Sequence, residues 1–313
     1  MNNPYSLVNK KIWVTGHTGM LGSSLLKQLE KEKHNILIVS KSDLDLRNQA
    51  QVDEWVKSKK PDFIFHTAAK VGGILENSQK PAMFISENLQ MQTNVITSAY
   101  KNSVKRLVFM GSACIYPISK EPIKETDLLG GKLEPTNRSY SVAKISGIEL
   151  CRAFSEQFGV NYISVQPNNL YGPNDNFEDD SAHVISSLIR KLYFAKINKL
   201  ENCKIWGTGK PKREFLYVDD LARALILIAE KYNDKDPINV GSGEEINIQK
   251  LSSMIKNTID YKGKLIFDDS FPDGVMRKFL DSTKIKSLGW KPKINLMEGL
   301  KRTYLWFLKN KQS

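Results

Sequence analysis

Tyr140 and Lys144, in the stretch Tyr140-Ser141-Val142-Ala143-Lys144, carry the types and spacing best suited to chemistry in this chain. Four positions apart, they project from the same face of a helix. A free phenol titrates near 10 and is a sluggish acid or base at neutral pH. An ammonium held beside it favours the phenolate, so the pairing predicts a tyrosine drawn toward the working range. Upstream, Gly111-Ser112-Ala113-Cys114 follows an apolar run from Leu107 to Met110 and offers a hydroxyl donor at a strand end. The plainer reading is a surface tyrosine with a helical lysine below it, because Tyr-x3-Lys is a common spacing. By composition alone Cys114 reads as a small core residue and His183 as a polar group at a helix start.

Such groups need a frame to hold them. Ile12-Trp13-Val14 reads as a short buried strand running into Thr15-Gly16-His17-Thr18-Gly19-Met20-Leu21-Gly22, then into an amphipathic helix through Leu25, Leu26 and Leu29. Strand, glycine turn and helix N-terminus make an anion site, where bare N–H groups and the helix dipole face a pyrophosphate. The spacing Gly-x-x-Gly-x-x-Gly departs from the GxGxxG pattern, but its placement between strand and helix points to a dinucleotide. Further strands are expected at Ile36–Val39, Phe63–Thr67, Leu107–Met110, Tyr162–Val165 and Ile238–Val240, with helical patterns between them. That alternation predicts an α/β fold, a Rossmann-type doubly wound parallel sheet. After Pro167 the rhythm turns irregular and richer in Asn, Gly and Pro. A smaller α/β substrate domain is therefore placed at 168–213 and 242–313, and the dinucleotide domain at 1–167 with about 214–241.

An acidic residue some twenty positions past the glycines would bind the ribose 2′-OH of NAD. Here Ser40-Lys41-Ser42 occupies that place, with no carboxylate until Asp43. A hydroxyl and an ammonium suit a 2′-phosphate, so NADP(H) is the expected cofactor. The alternative is a Lys41 that merely points into water. The net charge of +12 raises the question of nucleic acid. The lysines are spread along the chain, no nucleic-acid-binding signature accompanies them, and no such partner is expected. No stretch reads as a signal peptide and the apolar runs are strand-sized, so a cytoplasmic chain without a membrane partner is expected. Cys114, Cys151 and Cys203 are odd in number and show no CxxC pair, which argues against a disulfide framework or a zinc site.

Together, Ser112, Tyr140 and Lys144 resemble the catalytic trio of the short-chain dehydrogenase/reductase superfamily, in its extended, nucleotide-sugar branch. The likeness tightens to the GDP-L-fucose synthase family over nearly the whole chain. It is carried by Gly16–Gly22, Ala68-Ala69-Lys70-Val71-Gly72-Gly73-Ile74, Gly111–Pro117, Leu133-Glu134-Pro135-Thr136-Asn137, Asn169–Phe177 and Arg213-Glu214-Phe215. The resemblance implies NADPH-dependent reduction of a GDP-linked 4-keto-6-deoxy sugar at C4, with Tyr140 as proton donor, Lys144 beside it and Ser112 on the carbonyl. It further implies that Cys114 and His183 form an acid–base pair for epimerisation at C3 and C5. A C4 ketone acidifies both protons, and inversion needs opposed partners.

For the cofactor, the same resemblance implies contacts from Gly16, Thr18, Gly19, Met20, Leu21, Gly22, Ser40, Lys41, Asp45, Ala68, Lys144, Pro167, Asn169, Leu170 and His183. For the sugar nucleotide it implies Lys191, Trp206, Arg213, Asp273 and Lys278, and for assembly a homodimer through helices at roughly Ala82–Tyr100 and Tyr140–Phe158. Thr18 stands where better-known members carry arginine, which leaves more of the 2′-phosphate to Lys41. Arg138-Ser139 and Ala113 also depart from common members beside the site. A related substrate such as a GDP-4-keto-6-deoxy-heptose, reduced at C4 with epimerisation done by another enzyme, is the alternative. A 4,6-dehydratase would need an acid pair after the serine, where this chain has Ala113-Cys114. A 4-epimerase would not use the Cys–His pair, and a non-catalytic sensor would not keep the trio intact.

Overall fold

The computed structural model describes residues 5–31, 34–178, 181–271 and 273–310. The chain begins with β1 (Lys11–Thr15), α1 (Met20–Leu29), β2 (Asn35–Leu37), α2 (Gln49–Lys59) and β3 (Phe63–His66). It continues through α3 (Ile74–Gln79), α4 (Pro81–Lys101), β4 (Arg106–Met110), α5 (Arg138–Phe158) and β5 (Asn161–Pro167). Then come β6 (Asn169–Tyr171), α6 (Val184–Ile197), β7 (Asn202–Trp206), β8 (Lys212–Tyr217), α7 (Val218–Lys231) and β9 (Ile238–Val240). The last elements are β10 (Glu245–Asn247), α8 (Ile248–Ile259), β11 (Lys264–Asp268), β12 (Arg277–Lys278), α9 (Thr283–Ser287) and α10 (Leu296–Asn310).

Six strands form one parallel sheet in the order β2-β1-β3-β4-β5-β9. Its inner strands are buried along nearly their whole length, as in a sheet covered on both faces. One face packs Leu25, Leu29, Phe63, Phe65, Leu221 and Leu225 with the helices α1 and α7. The other packs Val52, Val95, Leu107, Phe109, Ile145 and Ile148 with α2, α4 and α5. This is the doubly wound α/β fold that the strand–helix alternation predicts. The order reverses between β1 and β3, and ligands bind outside the carboxyl ends of strands at such a switch point.

A second body carries β6, β8, β10 and β12 in one small sheet and β7 with β11 in another. Its own core gathers Tyr171, Ile189, Leu192, Ile205, Phe215, Leu251 and Phe307. Within 214–241, Glu214–Tyr217 stay in β8 of the second body, and the chain rejoins the large sheet through α7 and β9. Strand ends differ from expectation where pairing stops. β2 ends at Leu37, the last residue in register with β1, and leaves Ile38 exposed. β3 ends at His66, and the Thr67 hydroxyl donates to the Thr15 carbonyl at 2.5 Å.

Candidate active site

A cleft of about 1470 Å³ runs from the carboxyl ends of β1 and β3 across to the second body. At its first end, Gly16 sits at φ 66°, in the left-handed region. A Cβ there would lie 2.8 Å from the Ala68 Cα, so the turns after β1 and β3 touch at the switch point. A Cβ on Gly22 would overlap the Gly16 carbonyl oxygen, so the helix begins flush against the turn. Gly19 caps α1 without a side-chain hydrogen bond, which leaves the first-turn N–H groups for a ligand. Thr18, Met20 and Leu21 line this end with the three glycines and Ala68. The cradle fits a pyrophosphate.

Beside it, Lys41 and Asp45 line the cleft, together with Arg47 and Glu87. The Arg47 guanidinium grips Asp45 at 2.6–3.1 Å and approaches Glu87 at 3.4 Å. Arg47 first, and Lys41 more weakly, hold the Asp45 carboxyl down at about 2. Ser40 departs from expectation. It is the one anticipated contact absent from the cleft wall, because its hydroxyl turns to Ser42 at 2.6 Å and Asp43 at 2.6 Å. This end of the cleft therefore presents Lys41 without Ser40 beside it.

Midway along the cleft, α5 sets Tyr140 and Lys144 on successive turns. The Lys144 ammonium lies 5.9 Å from the Tyr140 ring centre and 4.8 Å from that of Phe109, and donates to the Met110 carbonyl at 2.8 Å. Burial lowers Lys144 to about 7. Burial is also the largest influence on Tyr140; it raises the phenol well above its ordinary value, the Cys114 sulfur adds to this, and the Ser112 hydroxyl opposes it. The expectation that Lys144 would draw the phenol downward is therefore corrected. In the cofactor-free protein burial is the dominant influence, and Tyr140 is a protonated acid.

Ser112 receives the Cys114 N–H on its Oγ at 3.2 Å, and its own N–H donates to Gln166 at 2.9 Å. The Cys114 sulfur accepts from the Asn137 amide at 3.4 Å. His183, at the N-cap of α6, completes the wall with Pro167, Asn169 and Leu170. Asn169 is anchored by its amide to the Glu214 carbonyl at 2.9 Å.

Toward the second body, Lys191, Trp206, Arg213, Asp273 and Lys278 line the far end. The Lys191 ammonium lies 5.1 Å from the Trp206 ring centre, and Phe271 stacks on that indole at 4.5 Å and 2°. The Asp273 carboxylate accepts from the Thr208 N–H at 2.9 Å and hydroxyl at 2.6 Å, so it braces the turn after β7. Lys278 approaches Glu134 at 3.7 Å, and burial lowers Arg213 against the charges of Glu134, Cys114 and Asp273. Lys278 is buried and Arg213 half-buried, and with Lys191 these cations make the far end of the cleft suited to an anionic group.

Residues 12–247 match the NAD dependent epimerase/dehydratase family. The chain is 47% identical over 302 residues to GDP-L-fucose synthase 1 of Arabidopsis thaliana, covering 96% of this chain and 94% of that relative. The chain belongs to the GDP-L-fucose synthase family. A GDP-L-fucose synthetase from Naegleria fowleri bound to NADP is 31% identical with a TM-score of 0.90, covering 99% of this chain and 96% of that one. A GDP-6-OMe-4-keto-L-xylo-heptose reductase from C. jejuni is 35% identical with a TM-score of 0.91, covering 99% and 100%.

In this member of the GDP-L-fucose synthase family the cleft also contains residues that sequence reasoning did not single out. Arg47, Glu87, Glu134 and Asn137 line it, and Asp175 bonds to His183. Glu134, Asn137 and Asp175 all fall inside the segments that carry the family likeness, but nothing in their spacing says what they touch. Among the described residues no group of three or more His, Cys, Asp or Glu side chains could hold a metal ion, and no helix is long and apolar enough to cross a membrane.

Proposed function

We infer that this protein is an NADPH-dependent reductase acting at C4 of a GDP-linked 4-keto-6-deoxy sugar. It also epimerises C3 and C5, and forms GDP-L-fucose or a close analogue. The observation that carries this reading is the meeting of Ser112, Tyr140 and Lys144 with Cys114 and His183 in one cleft, between a pyrophosphate cradle and a cationic subsite. The body of the large sheet, up to Pro167 and again through α7 and β9, serves the cofactor, and the second body, which includes all of β8, serves the sugar nucleotide.

The chemistry follows from the placement. Arg213 and Lys278 hold the diphosphate of the substrate, and the Trp206 indole gives its base an apolar face. The C4 ketone lets Cys114 or His183 remove the proton at C3 or C5, with the electron pair passing to the ketone oxygen. Its partner returns a proton on the opposite face. The Ser112 hydroxyl donates to that oxygen, a bond that strengthens as negative charge builds. NADPH, when bound, supplies the hydride for C4. Tyr140, kept protonated by burial, then gives its proton to the C4 oxygen, and the Lys144 ammonium balances the phenolate. On the cofactor side, the α1 N-terminus takes the pyrophosphate and Lys41 the 2′-phosphate.

The enzyme acts in the cytoplasm as a homodimer. α4 and α5 are its longest helices and pack on each other, and Met83 and Phe158 remain exposed on them at 47% and 40%. Joining two such pairs about a twofold axis would bury those side chains. A second reading, C4 reduction alone on a GDP-4-keto-6-deoxy-heptose, is favoured by the likeness to the C. jejuni heptose reductase. Incubation with NADPH and a panel of GDP-4-keto sugars in D2O, read by NMR, tests both. Reduction with deuterium at C3 and C5 supports the first reading, reduction without it supports the second, and no turnover of any member refutes both.

A further inference from the structure

The geometry assigns Asp175 as the positioning residue of His183, a role that rests on His183 acting as an acid–base group. The Asp175 side chain is 3% exposed, and its Oδ1 lies 3.4 Å from the imidazole Nδ1. The same oxygen accepts the Asn176 N–H at 2.8 Å, whereas Oδ2 is buried with no partner among the described residues. A buried carboxylate short of donors is costly, and the Nδ1–H of His183 is the donor within reach. The turn that aims the carboxylate inward follows β6, with Gly172 at φ 154° and Asn174 at φ 63°.

The chain just before His183 is held by the loop after β3. The Gly73 N–H donates to the Ser181 carbonyl at 2.9 Å, and a Cβ on Gly73 would lie 2.7 Å from the Ala182 carbonyl oxygen. Only glycine lets that loop press against the strip of chain carrying the imidazole. The charged groups of the loop and its helix, Lys70 and Glu76, pair with each other at 3.7 Å. Asp175 is the charged partner bonded to the ring, and Cys114 and Tyr140 lie elsewhere on the same cleft wall.

A carboxylate on Nδ1 fixes the tautomer and leaves Nε2 for the substrate. Burial alone would lower His183, but the Asp175 hydrogen bond and charge outweigh it and the net direction is upward. At neutral pH this enlarges the imidazolium fraction. When Nε2–H protonates the enolate carbon, the electron pair stays on Nε2 and the Nδ1–H remains on Asp175. The ring is thus ready to be reprotonated in the same orientation.

The test is Asp175→Asn, nearly isosteric, read in two ways. The first is ¹H–¹⁵N NMR titration of the four histidines, with His183 assigned from His183→Asn. Wild type should show the Nδ1–H tautomer, and Asp175→Asn should move the His183 midpoint downward. The second is deuterium incorporation at C3 and C5, which should fall at least roughly tenfold, while hydride transfer to a substrate already in the L configuration falls far less. An unchanged His183 midpoint in a variant that still binds NADPH overturns the assignment. If the variant does not fold, the wild-type spectrum decides, because an Nε2–H tautomer at His183 overturns it as well. Absence of deuterium exchange in wild type would sink the epimerase reading, and the NMR shift would still judge Asp175.

Discussion

Lys144→Met turns the burial of this lysine into a measurable slope. The ammonium is 3% exposed, its partners are the Met110 carbonyl and the faces of Phe109 and Tyr140, and it titrates at about 7. In the unfolded chain the same group titrates near 10.4. The unfolded state therefore binds this proton more tightly, and acid favours unfolding. The penalty is absent above the unfolded value, grows as pH falls toward about 7, and is constant below it. Linkage gives a cost of about 4 kcal/mol at pH 7 and about 2 kcal/mol at pH 9. Methionine keeps the length and has no proton to lose. Urea unfolding of the cofactor-free protein should thus show wild type gaining about 2 kcal/mol on the variant from pH 7 to pH 9. The other strongly shifted bases lie outside that window, since burial holds His66 at about 3 and Arg106 at about 10. Parallel stability curves would refute the claim that Lys144 is depressed in the free protein.

Tyr140→Phe removes the proton donor and keeps the ring. Its kcat for reduction should drop by roughly 10²–10⁴-fold with NADPH binding retained in a fluorescence titration. Lys41→Ala should weaken NADPH about tenfold and leave NADH nearly unchanged, because only the former carries the 2′-phosphate; equal effects on both would return Lys41 to the solvent. Cys114→Ser replaces a thiol with a much weaker acid. It should abolish most C3 and C5 exchange into D2O while a substrate already in the L configuration is still reduced, and equal loss of both would show that Cys114 serves the whole site.

The doubly wound sheet was legible because strand–helix alternation is a local signal. The glycine turn was legible because a strand precedes it and a helix follows. Almost every anticipated residue reaches the cleft, from Gly16 and Lys41 to Asp273 and Lys278, since each lies in a segment whose spacing or family likeness marks it. Ser40 escaped because its position in the sequence is right and its hydroxyl partner, Asp43, is three residues away. Asp175 and Asn137 escaped for the opposite reason. Their targets are eight and twenty-three residues distant, His183 and Cys114, and only the fold brings them together. Tyr140 was misjudged in direction because charge can be read from spacing, whereas burial cannot.

That reversal bears on how the site works. A tyrosine that must give a proton to an alkoxide is most useful while it remains protonated, and desolvation keeps it so. The same desolvation depresses Lys144 and reduces the charge available beside the phenol before reaction. Once Tyr140 surrenders its proton, the ammonium, 5.9 Å from the centre of its ring, faces a phenolate, and each charge favours the other. The pair therefore costs stability in the resting protein and is most favourable as negative charge is handed from the sugar to the phenol. In the proposed mechanism Ser112, two residues from Cys114, donates to the same oxygen in both halves of the chemistry. One hydroxyl can serve enolate and alkoxide alike, which is why epimerisation and reduction fit in a single cleft.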